Sequence, residues 1–327
     1  MRLRRSDPGR PGYGRRRAGR GWRFVDPAGA TVRDPEQLTR LRELVIPPAW
    51  RDVWISPHPT GHIQATGIDA AGRKQYLYHP EWRRRRDEAK FDHVLEVARR
   101  LPTLRERVGR DLAGRGLRRD RVLATVTRLL DMGMFRVGSD QYAAGDDPTF
   151  GVATLRPEHT RSRGDCVVLS FPAKGGIDQV RRIDDPELCQ VLRNLRRRRR
   201  AADRLFGYWD GATWRDVRSD EVNDYLREAS GGEMTAKDFR TWHATVLAAV
   251  DLAATGVQRS TTARRRAVVA VMRDVADLLG NTATVARASY VDPRVVDLYH
   301  DGVVAPVGPD TARPEAERAV LALLEEA

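Results

Sequence analysis

Apolar positions along the chain alternate in its first third and then settle into helical spacing. "WRDVWIS", "GHIQATGID" and "RKQYLYHP" alternate residue by residue, the period-two pattern of half-buried strands. The last two are joined through Asp69-Ala70-Ala71-Gly72. Ahead of them, "GWRFVDPAGATVRD" predicts a hairpin around Asp26-Pro27-Ala28-Gly29, and "DPEQLTRLREL" a short helix opened by Asp34-Pro35. Beyond residue 92 the spacing is mainly helical. Val122, Val126, Leu129 and Leu130 form one stripe, and Leu188, Val191, Leu192 and Leu195 another. Further helices are expected over 218–229, 235–254, 262–279 and 292–300, with an amphipathic helix over about 313–326. One segment breaks the series: "CVVLSFPAKGGIDQVRRI" predicts a β-hairpin whose loop holds Lys174.

The expected fold class is therefore α+β. A small strand-rich N-terminal domain spans 21–92, and a larger, mainly helical domain with one hairpin spans 93–327. Residues 1–20, rich in Arg, Gly and Pro without periodicity, read as a disordered basic arm. The length of 327 residues suits two domains or one large one. No internal repeat is visible.

Charge narrows the function. The chain carries 58 Lys plus Arg and a formal net charge of +13, which points to a polyanionic partner, nucleic acid first and an anionic membrane surface second. No run of eighteen apolar residues spans a membrane, and no apolar segment follows the basic N-terminus as a secretion signal would. Cys166 and Cys189 lie far apart without metal-ligand spacing. They favour a reducing cytoplasm over a disulfide framework or a zinc site.

Candidate chemistry begins with a scarcity. Lysine occurs only at 74, 90, 174 and 237, and one of these four tips a glycine-flanked turn. Arginine is never deprotonated in proteins, whereas lysine can release a proton, so Lys174 reads as a proton donor. In "TAKDFRTWHATVLAAV", Thr235 and Asp238 form a capping box. Lys237 and Arg240 then share a face near the positive end of the helix dipole, an arrangement suited to an anion or to plain solvation. In "MFRVGSDQY", Arg136 follows the apolar pair Met134-Phe135, in place to bind an oxyanion or to satisfy a helix end. In "LLGNTATVARASYVDPR", Gly280 ends a helix, Asn281 or Thr282 caps the next, and Tyr290 precedes Asp292-Pro293.

Taken together, Arg136, Lys174, Lys237, Arg240, Asn281 and Tyr290 resemble, in order and spacing, the catalytic set of the type IB DNA topoisomerases. The likeness is strongest to their compact bacterial and poxviral branch. "IPPAWRDVWISPHPTGHIQATGIDAAGRKQYLYHPEW" is similar to that branch's N-terminal signature, and "FGVATLRPEHT" and "TAKDFRTWHAT" to internal blocks. The resemblance covers roughly residues 20–300. It implies two lobes closing as a clamp around duplex DNA, the helical one catalytic. It implies that Tyr290 attacks a phosphodiester to give a 3′-phosphotyrosyl bond, that the DNA rotates about the intact strand, and that the 5′-hydroxyl reseals the nick. Arg136, Arg240 and Asn281 would hold the phosphorane oxygens, Lys174 would protonate the leaving oxygen, and Lys237 would be an auxiliary cation. Gln75, Tyr76, Tyr78 and Tyr142 match DNA-contacting positions; for Tyr76 and Tyr78 a place in the core of a small sheet is an equal alternative. His159 and His243 fall in matching blocks as structural or phosphate-bonding groups.

The resemblance further implies no metal, ATP or small-molecule cofactor, and a monomer acting on duplex DNA, preferably supercoiled, in the cytoplasm at the nucleoid. Two departures stand out: many members have histidine where Asn281 stands, and the viral pattern has an acidic residue where Gly175 stands. Two other readings share the residues. One is a tyrosine recombinase, which typically has His-x-x-Arg in place of Lys237-x-x-Arg240. The other is a catalytically silent DNA-binding protein. The run Arg196–Arg200 reads as a solvated helix end.

Overall fold

The computed structural model describes residues 1–133, 135–308 and 310–327; Met134 lies outside the described residues. The chain divides into two compact units, Met1–Asp92 and His93–Ala327.

The first unit is built on a five-stranded antiparallel sheet in the order β2-β1-β3-β4-β5. The strands are β1 (Tyr13–Ala18), β2 (Gly21–Val25), β3 (Arg51–Ile55), β4 (Ile63–Ile68) and β5 (Lys74–Tyr78), with helix α1 (Pro35–Glu43) between β2 and β3. Local chemistry sets the boundaries. Asp34 caps α1 by accepting from the Glu36 N–H at 3.1 Å, with Pro35 supplying the helical φ. Asp69 closes the β4–β5 turn by accepting from the N–H groups of Ala71 and Arg73, each at 2.9 Å. Phe24, Leu41, Ile46, Ile55 and Ala65 form the core, with Leu77 and Trp50 packed against it.

The expected disordered arm is corrected here: residues 13–18 are strand β1, paired with both β2 and β3. The arginines that suggest disorder by composition are strand residues with partners. Arg15 and Arg17 lie over the Trp22 ring at 4.1 and 5.0 Å, a cation–π arrangement. Arg15 also donates to the carbonyls of Ile46 at 2.8 Å and Trp50 at 3.1 Å. The turn at Asp26–Gly29 forms, but its return arm is only the bridge Val25↔Thr31; the long partner of β2 is β1.

Helix α2 (Pro80–Leu112) begins in the first unit and continues into the second, which holds α3 (Arg119–Asp131) and the short α4 (Asp140–Ala143). A three-stranded sheet follows, β6 (Thr160–Arg163), β7 (Cys166–Ala173) and β8 (Ile177–Ile183). Next come α5 (Pro186–Arg198), a two-stranded hairpin β9 (Gly207–Trp209) and β10 (Trp214–Asp216), then α6 (Ser219–Ser230) and α7 (Ala236–Thr255). The chain closes with α8 (Thr261–Leu279), α9 (Ala283–Ser289), α10 (Pro293–Asp301) and α11 (Arg313–Glu325). Within this unit α7 is buried along most of its length, as expected of a helix at the centre of a core.

Buried charges tie the helices together. Arg105 on α2 reaches Asp131 at 2.8 and 3.0 Å and Glu317 on α11 at 2.6 and 2.9 Å. Arg313 bonds Glu317 at 2.9 Å and Asp131 at 3.0 Å, and His243 on α7 lies 3.3 Å from Asp131. Burial opposes the charge on Asp131 and Glu317, yet both carboxyls are held below their usual range, Asp131 by His243 and Arg105 and Glu317 by Arg105 and Arg313. The arginine run at the end of α5 is also corrected in part: Arg196, Arg197, Arg198 and Arg200 are exposed, but Arg199 is buried. Its guanidinium pairs with Asp216 on β10 and donates to the Arg204 carbonyl, pinning the β9–β10 hairpin to the helix end.

Candidate active site

Arg136 follows the end of α3, where Gly133 takes φ +79° and the His243 ring packs against it; a Cβ there would come within 2.7 Å of the imidazole. The next residues run extended and are braced from one side. Val152 N–H donates to the Arg136 carbonyl at 2.8 Å and Ala153 N–H to that of Val137 at 2.7 Å. "FGVATLRPEHT" thus serves locally as the brace that fixes the Arg136 backbone. Its side chain donates from one Nη2 to Asn281 Oδ1 at 2.7 Å and to the Gly280 carbonyl at 3.2 Å.

Arg240 arrives from α7, whose first turn is closed by Asp238 accepting from the Thr235 N–H at 2.8 Å and its hydroxyl at 2.9 Å. The side chain is 3% exposed and donates to the Leu279 carbonyl at 2.7 Å. The C-terminal carbonyls of α8 therefore hold both arginines. These groups lack intrahelical partners and carry the negative end of the helix dipole. Gly280, at φ +59°, ends the helix in the left-handed conformation that turns its last carbonyls outward.

Tyr290 is the residue that terminates α9. It is half-buried, with its ring centroid 5.3 Å from the Arg240 Cζ. Burial pushes the phenol pKa up, but the charge and hydrogen bond of Arg240, then the charges of Arg136 and Lys237, outweigh it and bring it below its usual value. Burial and repulsion from Arg136 lower the Arg240 guanidinium to about 10, with Tyr290 acting in the other direction.

Lys174 is exposed in the three-residue loop between Ala173 and Ile177, where Gly175 and Gly176 take φ +86° and +71°. This backbone is the physical reason for glycine at 175, since an acidic residue there would be strained. Lys237 is exposed on the first turn of α7. Arg136, Tyr142, Lys174, Lys237, Arg240 and Tyr290 share the wall of one cavity of about 340 Å³. Asn281 stands behind Arg136, off that wall, with its Nδ2 buried and without a hydrogen-bond partner.

Gln75, Tyr76 and Tyr78 belong to the other unit, on β5. Tyr76 and Tyr78 point outward, 42% and 37% exposed, and stack on each other at 5.9 Å. The alternative in which they fill the sheet core does not hold; Leu77 takes that place. Gln75 points the opposite way and donates to Asp69 at 2.9 Å. His159 and His243 are structural. His159 Nδ1 accepts from the Arg156 N–H at 3.1 Å and its ring meets Phe150 edge-on, and burial lowers the pKa of both imidazoles. Sequence reasoning missed the Leu279 and Gly280 carbonyls, because main-chain groups leave no side-chain signal beyond the glycine cap.

A cavity that gathers two arginines, two lysines and a phenol with a lowered pKa suits an anion such as a phosphate ester. Comparison with known proteins agrees. The family described as eukaryotic DNA topoisomerase I, catalytic core, matches residues 79–301, and the bacterial DNA topoisomerase IB N-terminal domain matches residues 21–69. DNA topoisomerase 1B of Acanthamoeba polyphaga mimivirus is 28% identical over 281 residues, covering 83% of this chain and 81% of the viral protein. The chain belongs to the type IB DNA topoisomerases and acts on DNA topology. Among the described residues, no helix is long and apolar enough to cross a membrane.

Proposed function

We propose that the protein relaxes supercoiled duplex DNA through a 3′-phosphotyrosyl intermediate formed on Tyr290. The observation that carries this reading is the Tyr290 ring beside Arg240, on the same cavity wall as Arg136, Lys174 and Lys237. Tyr290 releases its phenolic proton to solvent and its oxygen attacks phosphorus; the Tyr290–phosphorus bond forms, and the bond from phosphorus to the 5′-oxygen breaks. Arg136 and Arg240 bind the non-bridging oxygens where charge accumulates, and Asn281 donates a further hydrogen bond from its unpartnered Nδ2. Lys174 gives its proton to the departing 5′-oxygen, a step arginine cannot perform. Lys237 adds positive charge near the scissile phosphate. Religation is the same path reversed. The energy of the broken ester is retained in the phosphotyrosine, so the cycle needs no ATP, and the fixed cations do the charge work without a metal.

The strand-rich unit and the helical unit act as two lobes on the duplex, with Tyr76 and Tyr78 as outward contact residues, Gln75 on the opposite face of the same strand as a further contact, and the exposed Tyr142 on the cavity wall. The enzyme works as a cytoplasmic, nucleoid-associated monomer, and torsional strain makes supercoiled DNA its preferred substrate. Affinity comes mostly from phosphates and falls steeply with salt. The test is relaxation of a single plasmid in chelator without ATP, beside Tyr290→Phe. Relaxation and a covalent DNA adduct are expected for the parent and neither for the variant. A plasmid left supercoiled under these conditions, or relaxed equally by Tyr290→Phe, refutes the reading. A requirement for a second DNA site would favour a recombinase.

A further inference from the structure

The segment carrying Tyr290 is held by α7 at a second point. Tyr290 and Val291 both direct their N–H groups to the Ala286 carbonyl, at 2.9 and 3.1 Å, which breaks the helical pattern before α10 begins. The next amide, that of Asp292, is buried and donates to Thr245 Oγ1 on α7 at 3.1 Å. The same hydroxyl lies 3.3 Å from the Tyr290 carbonyl and 2.9 Å from the Thr241 carbonyl on its own helix. A hydroxyl has one proton and two lone pairs, so it can accept from Asp292 while sharing its proton between the two carbonyls. Thr245 is 1% exposed and is not on the cavity wall.

We infer that Thr245 is a positioning residue for the nucleophile, a role that rests on the reading of Tyr290 given above. Helix α7 then grips the tyrosine at two places. Arg240 meets its ring, and Thr245, about 7.5 Å further along the helix axis, meets the backbone on its C-terminal side. Both contacts come from one buried helix, so the distance between the phenol and the phosphate-binding guanidinium is set within a single rigid element. A loop-borne nucleophile anchored only by its own side chain would lack that constraint, and a misplacement of about 1 Å costs on the order of a hundredfold in rate.

The sequence gives little notice of this. Thr245 reads as one more small residue in the apolar stretch "HATVLAAV", and its hydroxyl would ordinarily be assigned to the preceding turn of its own helix.

The experiment is single-turnover cleavage of a duplex whose short 5′-hydroxyl strand diffuses away after cutting, measured from neutral to alkaline pH at saturating protein. Thr245→Val keeps the shape but offers the Asp292 N–H no acceptor. Cleavage is expected to fall about 10- to 100-fold with DNA affinity unchanged, and its pH inflection to move upward as the phenol leaves Arg240. Thr245→Ser is expected to stay within about threefold of the parent, a difference of less than 1 kcal/mol. In the parent and in Thr245→Ser, hydrogen exchange should show the Asp292 amide protected. A Thr245→Val enzyme with parental rate and pH profile overturns the inference, and so does a Thr245→Ser enzyme as slow as Thr245→Val. Should Thr245→Val not fold, free exchange of the Asp292 amide in the parent, or a Thr245→Ser enzyme below about a tenth of the parental rate, overturns it equally. Cleavage by Tyr290→Phe would overturn the reading of Tyr290 and this inference with it. An inert Tyr290→Phe beside a fully active Thr245→Val overturns this inference alone.

Discussion

Asn281 holds Arg136 and, in the proposed reaction, also donates to the phosphate, and paired substitutions can distinguish the two. Its Oδ1 accepts from Arg136 at 2.7 Å, while its Nδ2 is buried with no hydrogen-bond partner. Asn281→Ala removes both functions; Asn281→Asp keeps an acceptor for Arg136, removes the donor and adds a negative charge. A hydrogen bond involving a charged group contributes about 1.5–3 kcal/mol, and an unsatisfied buried donor costs about 1–3 kcal/mol. For Asn281→Ala these offset, so the free enzyme should change in stability by no more than about 1–2 kcal/mol. Catalysis should not be spared. Loss of one donor to a developing oxyanion costs about 2.7–4 kcal/mol, or 10²- to 10³-fold in rate. Asn281→Asp should be at least as slow, since its carboxylate would neutralise part of the Arg136 charge on which the phosphorane relies. Thermal unfolding supplies the first quantity and single-turnover cleavage the second. If Asn281→Asp cleaves at the parental rate, Nδ2 is not a transition-state donor; if Asn281→Ala does so as well, Asn281 has no part in the chemistry. Because an amide does not titrate, the parental pH–rate profile should contain no step assignable to position 281, whereas Asn281→His should introduce one.

Lys174→Arg should leave DNA binding intact while slowing cleavage by about 10²- to 10⁴-fold, and a 5′-thiolate leaving group, which needs no proton, should restore it; slow cleavage of that substrate would mean the lysine serves only as a charge. Gly133→Ala should destabilise the protein by about 2–4 kcal/mol in denaturant unfolding, because it adds both a strained φ and a clash with His243; an unchanged midpoint would contradict the packing described. Acid should weaken the fold in two stages. Burial holds His243 below its ordinary 6.5, so as pH falls below that value the unfolded chain takes up a proton before the folded one and stability drops. Below about 4, Asp131 and Glu317 add to the loss in the same direction, since their folded pKa values are depressed. Burial lowers His159 in the same direction, so urea titrations against pH should show the first stage reduced in His243→Gln and abolished only when His159 is replaced as well.

What the sequence disclosed followed the range of the interactions. The capping devices at Asp34 and Thr235–Asp238 are local and legible, and so is the lysine at the hairpin tip, because composition made it conspicuous. The strand β1 was not legible. Its pairing with β2 and β3 and the stacking of Arg15 and Arg17 on Trp22 depend on partners elsewhere in the chain, while its composition imitates a disordered arm. Arg199 was hidden for the same reason: a run of five arginines gives no sign of which one turns inward to Asp216. The outward aspect of Tyr76 and Tyr78 required knowing which face of β5 meets Leu41 and Ile55. Within the site, the side chains could be named in advance, but the carbonyls that hold the arginines, and the hydroxyl beneath Tyr290, emerged only from the fold.

Those carbonyls explain how so much positive charge is tolerated before DNA arrives. Arg136 and Arg240 repel each other, which contributes to the lowered guanidinium pKa of Arg240, and each donates to a carbonyl at the end of α8, Arg136 to Gly280 and Arg240 to Leu279. A carboxylate would have stabilised the free enzyme and competed with phosphate for the same donors. The C-terminal carbonyls of α8 carry only partial charge; they fix the guanidinium groups in place and leave most of the positive field facing the cavity. A phosphodiester bears about one negative charge, and the phosphorane formed from a phenolate bears about two, so in the proposed reaction that field would act more strongly on the transition state than on bound substrate. The same field lowers the phenol pKa of Tyr290, so under the proposed mechanism one set of cations would both favour the nucleophile's reactive form and stabilise the state it produces. Lys174, carried on a separate glycine-rich loop, is the one cation that in the proposed reaction gives up a proton, and like Lys237 it is exposed, outside the more buried pair of arginines.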